Sequence, residues 1–432
     1  MMLNRDNIPR LFPITLIFLA LLAFIMVVAP VTYAGSETAS KTTDAYDFPI
    51  KFGDTEWETL ESHDAMLEAC QVPESILKDM STAGLVETVL NYPLYEDMFA
   101  YNNMQDGFDA VAARFNGLQE LLGRKDAGVE IMAVYRDIDP MVIVESWTSV
   151  EKGKFAVDFG SIEILLSQDA ILDDLTKTQI EQLLDEALKK SSGKAAYPEI
   201  YGWTGLESTA ILAGRALQHI ETAAFNEKVQ ADEDLKAFLE TGSFAGTDLS
   251  SNIFEDVTEY LGNDLTWSSS TRWDPEDYLT YDVKTPKGTT VSPTYKDLPE
   301  LSPATISYYN WWVDNYNPGN AYRIATATQK YNCHSYAWHE WSVQNIYWID
   351  TPGDDTYWDD NDGSYVVDYS PNANNIIRWN SADHSGVLSV YNSTNVWQSW
   401  VVSKWANRGL VLHKMSVCPF TTTSVTFFEP AP

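Results

Sequence analysis

Cysteine is scarce, with only 3 in 432 residues. So few thiols exclude a dense disulfide scaffold, and apolar burial must carry the fold. Basic residues are scarce too: 28 Lys and Arg stand against 62 Asp and Glu, a formal net charge of −34. That balance argues against binding nucleic acid through a general basic surface. Beyond residue 34 no long apolar run occurs, so no further membrane-spanning segment is expected. No repeat period recurs cleanly, which gives a regular repeat array no support. What is present suits a folded chain. Apolar residues make up 45% and charged residues 21%, which excludes wholesale disorder. The length suits two or three domains.

Residues 1–34 read as a secretory signal peptide. Arg5 and Arg10 supply the positive start, Leu11 to Ala29 the apolar run, and Thr32-Tyr33-Ala34 the small-residue cleavage site. An uncleaved anchor is the alternative, because the apolar run is long for a leader. Cleavage predicts a secreted protein without stable membrane insertion.

The remainder divides by style. Residues 35–45 form a Ser/Thr/Ala-rich flexible lead. Residues 46–262 carry helical signals. Phe108, Val111, Phe115, Leu118 and Leu122 make one amphipathic stripe. Thr178-Gln179-Ile180-Glu181 and Thr204-Gly205-Leu206-Glu207 read as capping boxes that open two further helices. Residues 263–308, broken by Pro275, Pro286, Pro293, Pro299 and Pro303, read as a linker or an irregular wrap. Residues 309–425 are aromatic and strand-rich, and 426–432 are a tail. Twelve of the 15 Trp fall from Trp267 to Trp405, as either core or groove residues. Charge follows the same division, at −28 for residues 35–265 and −7 for 266–432. The fold class expected is α+β. An acidic all-α N-terminal domain, either a bundle or an irregular α-solenoid, precedes a small domain with an antiparallel sheet.

The chemical signal lies in Tyr331-Asn332-Cys333-His334-Ser335-Tyr336-Ala337-Trp338. Asn332 is an N-cap that starts a helix running through Trp341, with Cys333 at the first helical position. Backbone N–H groups at a helix mouth favour a thiolate. A nucleophilic cysteine needs a base, and Asp383-His384-Ser385-Gly386 opens a strand downstream. Strands over 387–390 and 396–402 predict a hairpin around Asn392-Ser393-Thr394-Asn395. Pairing Tyr391 with Val396 sets Ser403 opposite His384, as the residue that orients the imidazole. The catalytic set expected is therefore Cys333, His384 and Ser403.

Asn-Cys-x-Ser-Tyr-Ala-Trp followed by Asp-His-Ser-Gly resembles the NlpC/P60 and CHAP enzymes, papain-like cysteine peptidases and amidases. The resemblance covers roughly residues 310–415. It implies a papain-like fold for 309–425, Cys333 as nucleophile, His384 as base and a polar third residue on the next strand. It also implies peptide or peptidoglycan as substrate, with no cofactor and no metal. Met80 to Glu87, with Phe115-Asn116-Gly117-Leu118, is similar to the front half of exported bacterial proteins of unassigned role.

The residues leave other readings open. A non-catalytic surface binder would use the aromatic-rich region for recognition. Cys333 and His339 with His413 and Cys418 are zinc-type ligands at unusual spacing. The loop Tyr357-Trp358-Asp359-Asp360-Asn361-Asp362-Gly363 is a substrate ledge or a calcium loop outside the EF-hand frame. Cys70 and Cys418 are the pair for an interdomain disulfide. Sequence does not fix the oligomeric state.

Overall fold

The computed structural model describes residues 44–220, 223–243, 246–262, 274–359, 362–380, 382–420 and 424–432. The expected signal peptide, nearly all of the expected flexible lead, and Trp267 and Trp273 lie outside these. The fold is mixed α and β: helices fill the N-terminal part and an antiparallel sheet the C-terminal part. No helix among the described residues is long and apolar enough to cross a membrane.

Six helices organise the site's surroundings: α1 (Met104–Ala112), α2 (Ser149–Leu166), α3 (Lys177–Ala195), α4 (Thr204–His219), α5 (Gly246–Leu261) and α6 (Pro303–Tyr316). The predicted stripe from Phe108 to Leu122 is two helices, not one. The chain leaves α1 at Ala112 and restarts over Asn116–Leu122, with Phe115 extended between them. The side chain of Gln71 causes the restart by accepting the Asn116 N–H (3.1 Å), while Asn116 bonds both backbone groups of Val72. The first predicted capping box is displaced by two residues. Thr176 and Gln179 exchange the reciprocal bonds that open α3. At α4 no side-chain cap forms, and the helix starts from Trp203.

The main sheet has the order β2-β8-β7-β6-β5-β9-β4, antiparallel throughout. Its strands are β2 (Ala321–Ala325), β4 (Tyr365–Val367), β5 (Ile376–Trp379), β6 (His384–Val390), β7 (Trp400–Lys404), β8 (Leu410–Lys414) and β9 (Val425–Pro430). A separate ribbon pairs β1 (Thr294–Lys296) with β3 (Tyr347–Ile349), so the Pro-rich wrap adds its own strand. The connection between β6 and β7 is longer than the predicted four-residue hairpin loop. A 3-10 turn at Val396–Gln398 and a bulge between Leu388 and Val390 take up residues there. Val387 consequently faces Val402, and Leu388 faces Val401.

The helical and sheet regions share one hydrophobic core that runs from Phe48 and Leu85 through α2 and α6 to Trp379, Leu388, Val401 and Trp405. The boundary drawn near residue 262 is therefore one of secondary-structure type; packing is continuous across it. Helix α6 is the bridge. Trp57 Nε1 donates to Tyr316 O (2.6 Å), Asn317 Nδ2 donates to Leu60 O (2.9 Å), and the buried Arg408 guanidinium lies 3.3 Å from the Trp312 ring centroid. The other sheet face packs a smaller cluster of Ala337, Trp338, Ile376, Val387 and Phe428.

Candidate active site

Cys333 sits where the sequence places it, at the first residue of a short helix. Asn332 caps it: its Oδ1 accepts from Ser335 N (3.1 Å), and its amide is clamped to β3 through Ile349 N (3.3 Å) and Ile349 O (2.6 Å). The helix ends at His339, short of the expected Trp341, because residues 335–339 widen into a π-turn and Glu340 N bonds back to Ser335 O. Such turns gather at functional sites.

The sulfur is buried, with the residue 1% exposed. Its polar neighbour comes from the helical part. Asn102, in the short connection before α1, places Nδ2 3.8 Å and Oδ1 3.9 Å from Cys333 Sγ. The same Nδ2 donates to Asp383 Oδ2 at 3.0 Å. No sequence signal marked Asn102, because no pattern links a loop before one helix to a cysteine 231 residues later.

Asp383 is a hub. Besides Asn102 it accepts from Thr351 Oγ1 (2.7 Å) and pairs with His334 Nε2 (3.0 Å). Burial opposes its charge, but the His334 ring and these hydrogen bonds outweigh that and hold its carboxyl well below the usual range. His334 has a second carboxylate: its Nδ1 lies 3.3 Å from Asp354 Oδ2 and 3.1 Å from Ser385 Oγ. Burial pulls this imidazole down, yet the two carboxylates and the neighbouring sulfur overcome it and keep the ring protonated well above the ordinary value. Burial, with the Asp383 charge nearby, pushes Asp350 up to about 6. His334, Asp354 and Asp383 bring ligand-type atoms within 4.8 Å of one another. The carboxylates stand at opposite nitrogens of the ring, so the group as arranged neutralises an imidazolium.

His384 opens β6, as expected. Ser385 Oγ is held by His334 and by Trp338 Nε1 (2.9 Å), which docks the start of this strand onto the Cys333 helix. Strand alternation turns His384 the other way. Its ring stacks on Phe420 (centroids 3.8 Å apart, planes at 10°) and touches Trp379 (4.7 Å). Phe420 in turn meets Tyr101 (4.7 Å), the chain neighbour of Asn102. Neither nitrogen of His384 has a hydrogen-bond partner among the described residues. Burial, aided by repulsion from His413 and His334, holds the ring neutral, well below its ordinary pKa.

Ser403 does not orient His384. With Val387 opposite Val402, it falls beside Gly386, two residues along the strand from the expected register. Its hydroxyl bonds His413 Nε2 (2.7 Å) and accepts from Trp405 Nε1 (3.1 Å). The zinc-type residues Cys333, His339, His413 and Cys418 do not gather as a ligand group among the described residues, and the second nitrogen of His413 bonds Lys414 O (2.9 Å). Cys70 and Cys418 are unpaired and buried, so the interdomain disulfide does not form. In the acidic loop, Asp362 turns inward to Thr285 and Ser364, while Asp360 and Asn361 lie outside the described residues. A cavity of about 720 Å³ between α1 and α4, lined by Phe108, Gln168, Arg215 and Leu239, belongs to the helical part and contains none of these groups.

No protein-family model, no curated protein and no solved structure matches the chain.

Proposed function

We propose that the protein is an exported cysteine-dependent hydrolase of amide or peptide bonds, with Cys333 as nucleophile, His384 as base and a papain-like arrangement of helix and sheet. One observation carries the reading. The capped helix bearing Cys333 is pinned through Ser385 to the start of the strand that bears His384, a neutral imidazole with both nitrogens unengaged. A neutral ring is the form a general base requires. For the proton transfer the buried ring must leave its stack on Phe420 and come round to the sulfur, and no hydrogen bond among the described residues opposes that turn. The thiol proton passes to His384, and the thiolate adds to the carbonyl carbon to give an acyl-enzyme. His384 then protonates the leaving amine, and water releases the acid. Wall peptides are the substrate class that the quoted motifs suggest, and the leader over 1–34 fits export.

The burial of Cys333 favours a second reading, a non-catalytic surface binder that uses exposed aromatics such as Tyr281, Tyr322, Trp341 and Tyr369. Activity separates the two. Purified peptidoglycan and a mixed peptide pool are incubated with the full chain, and newly freed amino groups are counted. The hydrolase reading expects release that is lost in both Cys333→Ala and His384→Ala. Release that persists in Cys333→Ala rejects it.

A further inference from the structure

We propose that Asn102 is a catalytic residue, its side-chain amide donating a hydrogen bond to the oxyanion that forms when Cys333 attacks a carbonyl. This deepens the hydrolase reading and rests on it.

The geometry has three parts. Asn102 Nδ2 stands 3.8 Å from Cys333 Sγ, close enough to reach an oxygen on a carbon newly bonded to that sulfur. Oxyanion donors work at about 2.7–3.1 Å from the oxygen they stabilise, and that oxygen sits to one side of the attacking atom. The amide is also held: Nδ2 donates to Asp383 Oδ2 (3.0 Å), and its further contacts, Asp383 O (3.5 Å) and Cys333 Sγ (3.8 Å), are long enough for its second hydrogen to pass to an oxyanion. Finally, Asp383 is itself fixed by Thr351 and His334, so the amide is braced before substrate arrives. A preorganised donor needs that bracing.

The step balances simply. The Sγ–C bond forms, the carbonyl π pair moves onto oxygen, and the Nδ2–H donates to that oxygen. When the carbonyl re-forms, the C–N bond breaks and the amine leaves with the proton from His384. The helical part thereby supplies one group of the active site and the sheet part the rest.

The test compares two chemistries at one sulfur in the full-length protein. Alkylation by iodoacetamide passes through no oxyanion, whereas acylation by 4-nitrophenyl acetate does. Rates at Cys333 are read by peptide mass, with Cys70 and Cys418 as internal references. In Asn102→Ala, and in Asn102→Leu, which keeps the volume but has no donor, acylation should fall about 100-fold while alkylation stays within about threefold. Unchanged acylation overturns the assignment. If both rates rise together, Asn102 is only a cover over the sulfur; if both fall together, it is only structural. Either result overturns the catalytic role. If the unaltered chain acylates Cys333 no faster than Cys70 and Cys418, the hydrolase reading itself fails, and this assignment with it.

Discussion

Single residues decide the chemistry here, and two histidines of opposite character make the point. His384 is neutral because nothing around it repays the loss of water, whereas His334 is charged because two carboxylates do. The consequence for stability has a definite sign. A histidine whose folded pKa is depressed binds fewer protons folded than unfolded. Its contribution is complete above the unfolded value of about 6.5 and is lost as pH falls below it. His384 and His413, the latter pushed down to about 4 by burial, both act this way. His334 acts oppositely: its contribution is complete below about 6.5 and fades only at high pH. His384→Phe keeps an aromatic ring against Phe420 and should flatten the loss of melting temperature between about pH 7 and about pH 5. An unaltered slope would mean that the ring is not held neutral. Ser403→Ala tests the corrected role of that residue. It leaves His413 and the Trp405 indole short of a partner, so it should cost about 1–3 kcal/mol in denaturant unfolding. Iodoacetamide labelling of Cys333 should not change. A large change in labelling would return Ser403 to the site.

At the scale of elements, the close approach of α2 to α6 decides between two opposed effects. An alanine at a helix interior usually gains about 1 kcal/mol over glycine. At Gly153 the added Cβ would overlap Ala304 O and meet Tyr308 Cβ at 2.7 Å. Backbone cannot yield as a side chain does, so overpacking outweighs propensity. Gly153→Ala should destabilise by about 1–3 kcal/mol, and a gain in melting temperature would show that the helices are free to part. The same scale marks the limit of what sequence could tell. The capped start at Asn332, the strand opening at His384 and the helical character of residues 46–262 follow from local chemistry, and were legible. The break at Phe115 was not, because it depends on Gln71 reaching back across more than forty residues. The β6–β7 register was not either, because a bulge and a 3-10 turn changed the count between the strands.

At the scale of the molecule, a change of composition looked like a domain boundary, and packing does not respect it. One core joins α2, α6 and the sheet face of Leu388 and Val401. Bonds such as Arg408 Nη2 to Glu96 O (2.7 Å) and Arg114 Nη1 to Pro419 O (3.3 Å) cross the same line. Sequence shows such a seam poorly, since apolar residues at a shared interface look like those of two separate cores. A chain packed this way should melt in one cooperative transition. Two separated transitions in calorimetry, or a stably folded fragment of residues 274–432, would contradict the shared core. The catalytic account depends on that unity, because Asn102 belongs to the helical part and Cys333 to the sheet part. Its most direct test is the rate at which iodoacetamide labels each cysteine at about pH 6. An activated Cys333 should react at least about tenfold faster than Cys70 and Cys418, whose thiols burial pushes up, and His384→Gln should erase the difference. Equal labelling of all three cysteines in the unaltered protein would contradict it.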